Sequence, residues 1–382
     1  MDIYYKTRTR CVVCDEPAGE AVDLRNYPLT DMILDYKLEA VVDQKLMVCE
    51  RCGHGQLHNL IHPNILYNKQ YSLVTSTGMA SKNNDLFYDF ILKVTGGKYF
   101  NTILEIGCND CYLLKKLENY ADNLVGIDPI LCGREEEFNG GKIQVFGTFI
   151  EQFELKHQDK PILVLASHVL EHIDDPRKLL DNLISKVGDD ALFVFQFPEF
   201  NTLVMDYRFD QVYHHHIHYF SLHSFKYLIN SLGYDIVDYA INPHYWGTLT
   251  VAFAKSGKMK INPMIMHLDF IRNNYNRFVI LMDMLKYKLV DLNDVIAYGA
   301  SLQYPVLMYH ISPVAEPKIV VDDDMSKDGK YFINSNSIIR HSSNVDLKNA
   351  NVLITAANFS RNIIQKLLQR EVNNIIVPFN LV

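Results

Sequence analysis

Between residues 102 and 253, short apolar runs of strand length alternate with segments of helical spacing, and this alternation restricts the fold more than any other feature. The runs at 102–106, 124–127, 143–146, 162–166 and 191–196 are apolar nearly throughout, as strands covered on both faces must be. The stretch 176–185, between the last two, has the spacing of an amphipathic helix. Repeated strand–helix–strand units predict a mostly parallel sheet with helices on its faces. Runs at 234–240 and 249–253, separated by Asn242-Pro243 and Gly247, predict an antiparallel pair at one edge of that sheet.

At 382 residues the chain exceeds one ordinary core, and its texture divides into three. Residues 1–75 carry cysteines and short strand-like pieces, 76–256 carry the alternation, and 257–382 open with a helical stretch from Pro263 to about Asp291. The α/β pattern then resumes at 294–298, 318–321, 352–355 and 374–377, which predicts a smaller Rossmann-like unit. A net charge of −8 argues against nucleic acid or an anionic membrane as the main partner. No apolar run approaches a membrane span and the start MDIYYKTRTR lacks the core of a signal peptide, so a cytoplasmic enzyme is expected.

Four of the seven cysteines form two CxxC knuckles, Cys11-Val-Val-Cys14 and Cys49-Glu-Arg-Cys52. Each knuckle turns two thiolates toward one point, and two knuckles complete a tetrahedral site for zinc. Gly53 suits the tight turn after the second. Such a closed site leaves no coordination position open, so the expected Zn2+ is structural. Free thiols or a redox pair are the alternative readings.

The segment Leu104-Glu-Ile-Gly-Cys-Asn-Asp-Cys-Tyr-Leu-Leu114 follows a predicted strand and opens a helix. Gly107 lets the backbone approach a ligand at the carboxyl end of the strand, with Asn109 and Asp110 as polar neighbours. Asp128 ends the next strand and can take both hydroxyls of an adenosine ribose. One glycine is too few for a dinucleotide cradle. Glu105-x-Gly107 instead resembles motif I of class I S-adenosylmethionine-dependent methyltransferases, and Leu165-Ala-Ser-His-Val-Leu-Glu-His-Ile-Asp-Asp-Pro176 resembles the segment after their fourth strand. The cofactor contacts expected are Tyr71, Glu105, Gly107, Asn109, Asp110, Asp128, Pro129, Phe149, Ser167 and His168. Cys108 and Cys111 read as small loop fillers.

Over nearly its whole length the chain resembles the three-domain C-methyltransferases that branch deoxysugars on nucleotide-sugar substrates. The matching stretches are Cys49-x-x-Cys-Gly-x-x-Gln-Leu57, 104–114, 209–221, Tyr298-Gly-Ala300, 321–331 and Ile376-Val-Pro378. The resemblance implies an α/β fold: an N-terminal zinc-binding domain, a class I methyltransferase domain and a C-terminal Rossmann-like domain. It also implies S-adenosylmethionine as cofactor and a small nucleotide-linked sugar as partner, with a monomer or a homodimer both open.

Four of the fifteen histidines stand in Tyr213-His-His-His-Ile-His-Tyr-Phe220, and His223 follows. Histidine is the side chain that most readily serves as acid, base or metal ligand near neutrality. The family's motif reads Tyr-His-Glu-His-x-x-Tyr-Phe-Ser, which places Tyr213 and His216 at the reacting centre, His216 as general base, and His172 nearby. Transfer to carbon needs a base, because the carbon beside a keto group becomes nucleophilic by losing a proton. Three departures stand out. His215, expected in the catalytic set with Tyr213, His216 and His172, replaces the family's Glu; His244-Tyr-Trp-Gly-Thr-Leu-Thr250 lacks its arginine, and Gln303 replaces its lysine. Two rival readings accompany this one: a metal site on alternate residues His214, His216 and His218, and a methyltransferase acting on oxygen or nitrogen. A third, a non-catalytic binding protein on the same fold, sits poorly with Gly107, Asp128 and Tyr213 together.

Overall fold

Seven strands form the central sheet of the computed structural model, in the order Tyr234–Asn242, Thr248–Lys255, Leu192–Pro198, Ile162–Ser167, Phe100–Ile106, Ala121–Ile127 and Ile143–Phe146. The structure describes residues 4–30, 32–66, 78–154, 162–242, 247–256, 267–301, 304–311 and 316–378. Thr248–Lys255 runs antiparallel to both neighbours and the other strands are mutually parallel. The expected α/β sheet with its antiparallel edge pair is therefore present. Five of the six residues of Ile162–Ser167 are buried, as a central strand covered on both faces requires. Helix Pro176–Val187 shows how the flanking layer is made. Asp175 caps it by accepting from the Lys178 N–H at 2.9 Å, Pro176 opens its first turn, and Leu179, Leu180, Leu183 and Val187 face the sheet.

The order of connection reverses between Phe100–Ile106 and Ile162–Ser167, and ligands of open α/β sheets bind in the crevice at such a switch point. Gly107 and residues 167–172 leave the sheet on either side of it.

A second sheet, of four antiparallel strands, orders His218–Tyr219, Gly55–Leu57, Val41–Val48 and Gly19–Pro28. A third has five parallel strands, Asn374–Ile376, Asn351–Ile354, Val295–Tyr298, Ile319–Asp322 and Ile338–His341. Tyr331–Phe332 and Ile33–Leu34 extend it in antiparallel fashion. Two strands thus sit in sheets distant in sequence. His218–Tyr219 completes the cysteine-bearing sheet, and Ile33–Leu34 closes the C-terminal one.

Helix Leu268–Val290 joins these layers, and of its expected lead-in, 263–266 lies outside the described residues. Its buried Ile271, Phe278, Met282, Leu285 and Leu289 recur at helical spacing. They enter one core with Tyr27, Leu46 and Val48 from the N-terminal sheet and Ala297 and Val320 from the C-terminal one. Tyr213 and Ile217 belong to the same core, so the histidine run is held by packing from all sides. No helix among the described residues is long and apolar enough to cross a membrane.

Candidate active site

The turn after Phe100–Ile106 is shaped by backbone geometry. Gly107 has φ +72°, and a Cβ there would stand 2.5 Å from a methyl of Val169, so only glycine closes the approach of the two loops. Asn109 and Cys111 follow in left-handed conformations, at φ 46° and 57°. Asp128 clips the turn, accepting from the Asn109 N–H at 2.9 Å and the Ile130 N–H at 3.0 Å. Burial raises the Asp128 carboxyl above its ordinary range against the pull of these two bonds. A carboxylate has about four acceptor positions, so room remains for a ribose diol.

Glu105 is buried beside this turn with Oε2 lacking a partner, and burial pushes its carboxyl well up. An orphaned buried oxygen and a cradle that excludes a Cβ are features that fit a bound S-adenosylmethionine. Asp110 is partly exposed at the turn, Pro129 opens the short helix after Asp128, and Phe149 is exposed beyond the third strand. Ser167 accepts from the Gln196 amide at 2.6 Å, and His168 adopts φ 53°. Tyr71 lies outside the described residues, as do 243–246 and Gln303. Cys108 and Cys111 are buried in the sheet core, consistent with filling space.

Residues 167–172 link the cofactor turn to the histidine run. Val169 faces Gly107 at one end, and at the other the chain is zipped to the run by two bonds. His172 Nδ1–H donates to the His215 carbonyl at 2.8 Å, and the Ile217 N–H donates to the Glu171 carbonyl at 2.9 Å.

The five-residue run divides by function of its rings. His214 packs against the N-terminal sheet, accepting from the Gln44 amide at 3.1 Å and donating to the Tyr27 carbonyl at 3.4 Å. His218 meets His54 at 3.1 Å. Burial lowers His214 to about 4 and His218 to about 3, so both rest neutral as structural side chains. His215 donates to the Leu66 carbonyl at 3.2 Å and faces Thr30 at 3.4 Å. Strand structure begins only at His218, and among the described residues His214, His216 and His218 do not converge as a metal-binding group, which speaks against the alternate-residue metal site.

His216 is different. Its Nε2 lies 2.7 Å from the Tyr213 hydroxyl, and its ring meets His172 edge-on with centroids 5.0 Å apart. Burial lowers His216 well below the ordinary value, with the nearby imidazoles of His172, His168 and His215 adding to the effect. A neutral imidazole sharing a proton with a phenol in a buried setting can accept a proton from carbon or oxygen. Glu171 is 1% exposed, and a carboxylate oxygen of it lies within 4.8 Å of a ring nitrogen of His172 and of His216. Its place in Leu-Glu-His, between His168 and His172, is the signal the sequence offers for it.

The four knuckle thiols converge. Cys11 and Cys52 sulfurs are 3.5 Å apart, Cys14 and Cys49 are 3.4 Å apart, and all four lie within 4.8 Å of one another. Zinc–thiolate bonds of about 2.3 Å imply tetrahedral edges near ~3.8 Å, so the donor set fits zinc.

Residues 79–239 match the family described as "Methyltransferase domain". They form a methyltransferase domain of the S-adenosylmethionine-dependent class, on the Rossmann-like sheet described above. Among curated relatives, the "C-methyltransferase NovU" of Streptomyces niveus is 24% identical over 250 residues, 63% of this chain and 59% of that protein. The "Ubiquinone biosynthesis O-methyltransferase" of Pseudoalteromonas translucida is 26% identical over 117 residues, 29% of this chain and 50% of that protein. The chain thus spans less than two thirds of the length of either. Among solved structures, the N-methyltransferase NodS of Bradyrhizobium japonicum with S-adenosyl-l-homocysteine superposes at a TM-score of 0.35. It is 19% identical, with 45% of this chain and 86% of that one covered.

Proposed function

We propose that the protein is an S-adenosylmethionine-dependent C-methyltransferase acting on a keto-deoxysugar carried by a nucleotide diphosphate. The observation that supports this most is the buried Tyr213–His216 pair at 2.7 Å, attached through residues 167–172 to the turn at Gly107. Glu105, Gly107, Asn109, Asp110, Asp128, Pro129, Ser167 and His168 would hold the cofactor, with Tyr71 and Phe149 at its margin. When bound, it supplies an electrophilic methyl on a sulfonium. His216 takes the proton beside the sugar's carbonyl, and the Tyr213 phenol or the His172 imidazole stabilises the oxygen of the resulting enolate. Burial keeps His216 neutral and thus able to accept, and the packed core holds it in place. The cysteine cluster would hold a structural Zn2+. The three sequence regions, 1–75, 76–256 and 257–382, would be its domains, and the cytoplasm its compartment.

The resemblance at 49–57, 209–221, 298–300 and 321–331 supports a sugar substrate, and the likeness to a C-methyltransferase supports transfer to carbon. The likeness to ubiquinone O-methyltransferases favours a second reading, in which His216 deprotonates a hydroxyl instead. Incubation with S-adenosylmethionine and keto nucleotide sugars in deuterium oxide separates the two. Deuterium entering the carbon beside the ketone is expected, and its loss in H216N, with cofactor binding retained, marks His216 as the base. Methyl transfer to oxygen or nitrogen without exchange would sink the C-methyltransferase reading.

A further inference from the structure

The Glu171 carboxylate has no role in the reaction described so far, although it is 1% exposed. Its Oε1 accepts from His168 Nδ1–H at 3.2 Å, and its Oε2 has no partner. One carboxylate oxygen of Glu171, one nitrogen of His172 and one of His216 all lie within 4.8 Å of one another. Desolvation of a carboxylate costs several kcal/mol, about 1–3 for an unmade hydrogen bond alone, so an open buried oxygen calls for a use. At 215, where the relatives that this chain resembles carry Glu, the run holds a histidine that is committed to Leu66 and Thr30.

We propose that Glu171 is the counter-charge of the reacting imidazoles, supplying from the neighbouring loop the carboxylate that the run lacks at 215. This deepens the reading of the site as a proton-abstracting centre and rests on it. In the step concerned, the C–H bond beside the carbonyl breaks, its electron pair passes into the enolate, and the proton goes to His216. The imidazolium so formed is buried, surrounded by Tyr213, His172, His168 and His215, none of which is anionic as a neutral side chain. Glu171 is the one carboxylate in this group, and its negative charge already raises His172 against the dominant effect of burial. The enolate carbon then bonds to the methyl carbon as the carbon–sulfur bond breaks, the carbonyl re-forms, and His216 releases its proton to solvent. Glu171 touches neither substrate nor cofactor in this scheme and is a positioning residue. Its backbone carbonyl, which accepts from Ile217, and its side chain, which accepts from His168, fix the charge in place.

The test uses the full-length protein, S-adenosylmethionine and a keto nucleotide sugar that the wild type exchanges in deuterium oxide. E171Q is expected to bind the cofactor within about threefold of wild type and to keep KM. Its kcat and exchange rate should fall about a hundredfold, the scale of a lost acid–base contribution. The acid limb of its kcat profile should move about one pH unit lower, because without the negative charge His216 is harder to protonate. E171D, which moves the charge back without removing it, should shift the limb the same way by less, and it carries the test if E171Q does not fold. An unshifted limb in both variants, with any loss of rate traced to weaker cofactor binding, overturns the proposal and leaves Glu171 as a support for His168. Stoichiometric uptake of manganese or zinc beyond the cysteine cluster, lost in E171Q, also overturns it by making the three residues metal ligands. A wild type that exchanges no keto sugar fails earlier, at the C-methyltransferase reading itself.

Discussion

At the end of strand Phe100–Ile106, Gly107 donates its N–H to the Ile127 carbonyl at 2.7 Å, and Asp128 accepts from the Asn109 N–H at 2.9 Å. At the end of Val295–Tyr298, Gly299 donates to the Val321 carbonyl at 2.7 Å, and Asp322 accepts from the Ala300 N–H at 2.6 Å. Each aspartate also takes an N–H two residues on, from Ile130 and Asp324, both at 3.0 Å. Each glycine has positive φ and faces the loop across its switch point, Val169 in one sheet and Ala356 in the other. The two sheets repeat one construction.

They differ in what surrounds the carboxylate. Beside Asp322, the Lys327 ammonium lies 3.3 Å from Oδ1 and 3.3 Å from the Ala300 carbonyl. Asp323 is bound by Tyr298 and Lys366, at 2.8 and 2.5 Å. The C-terminal turn is therefore satisfied by its own side chains. Asp128 has no cation among its contacts in the described residues, is 6% exposed, and sits near Glu105, whose Oε2 lacks a partner. One fold element serves as a clip in one sheet and as a binding-site candidate in the other, and neighbouring charge decides which.

The largest effect expected in breaking this comparison is G299A. At φ +106° its Cβ would stand 2.3 Å from the Ala356 Cβ and 2.9 Å from the Ala356 backbone nitrogen, neither of which can swing aside. A loss of about 3 kcal/mol or more in urea unfolding is expected, with cofactor affinity unchanged in whatever protein remains folded. G107A meets only a valine methyl and should cost about 1–2 kcal/mol while abolishing measurable cofactor binding by calorimetry. Equal affinity in G107A and wild type would contradict the assignment of this turn.

Next in size is the pair D128N and D322N. D128N should weaken S-adenosylmethionine binding about tenfold or more, roughly 1.4 kcal/mol or above, since the amide offers one acceptor oxygen instead of two. D322N should leave that affinity alone. A matching loss in D322N would show that the two turns are not functionally distinct.

The smallest expected effect is on pH. Burial raises the Asp128 carboxyl above the ordinary aspartate range, so the stability linked to its proton is present at low pH and is lost as pH rises through its folded pKa. Cofactor binding needs the ionised form and should weaken as pH falls, beginning above the ordinary aspartate range. Calorimetric titrations from pH 7 to 5 should show this limb in wild type and not in D128N. A pH-independent affinity in wild type would remove Asp128 from the ribose contact.

Much of this was readable from residues in order. The strand runs, the antiparallel edge pair, the knuckle spacing and the placement of Asp128 after the second strand depend on local pattern, which sequence displays. Within the histidine run only the family resemblance singled out Tyr213 and His216; the surroundings of the other rings were not readable, because they depend on partners far along the chain. His214 is fixed by Gln44 and Tyr27, and His218 by His54. The rival metal reading needed the run to be a strand, whereas only His218–Tyr219 pairs as one. Ile33–Leu34 could not be assigned to the C-terminal sheet, since a two-residue edge strand has no periodicity to read. The burial of Glu171 was not readable either, because it depends on the histidine run packing over it, with the Ile217 N–H on its carbonyl, as well as on nearby His168.

The strand His218–Tyr219 pairs with Gln56 and Gly55, within four residues of Cys52. The histidine run is therefore ordered from two sides, by a strand some 160 residues earlier and by the 167–172 loop, through His172 to the His215 carbonyl and Ile217 to the Glu171 carbonyl. This limits how the chemistry can be inherited. Residues 76–256 transplanted alone would take with them the Gly107 turn and the sequence of the run, but not the Gly55–Leu57 strand that pairs with His218–Tyr219, nor the Gln44, Tyr27 and His54 contacts of His214 and His218. Under the proposed function, the cofactor half is the portable one, and the proton-handling half depends on the N-terminal sheet as well.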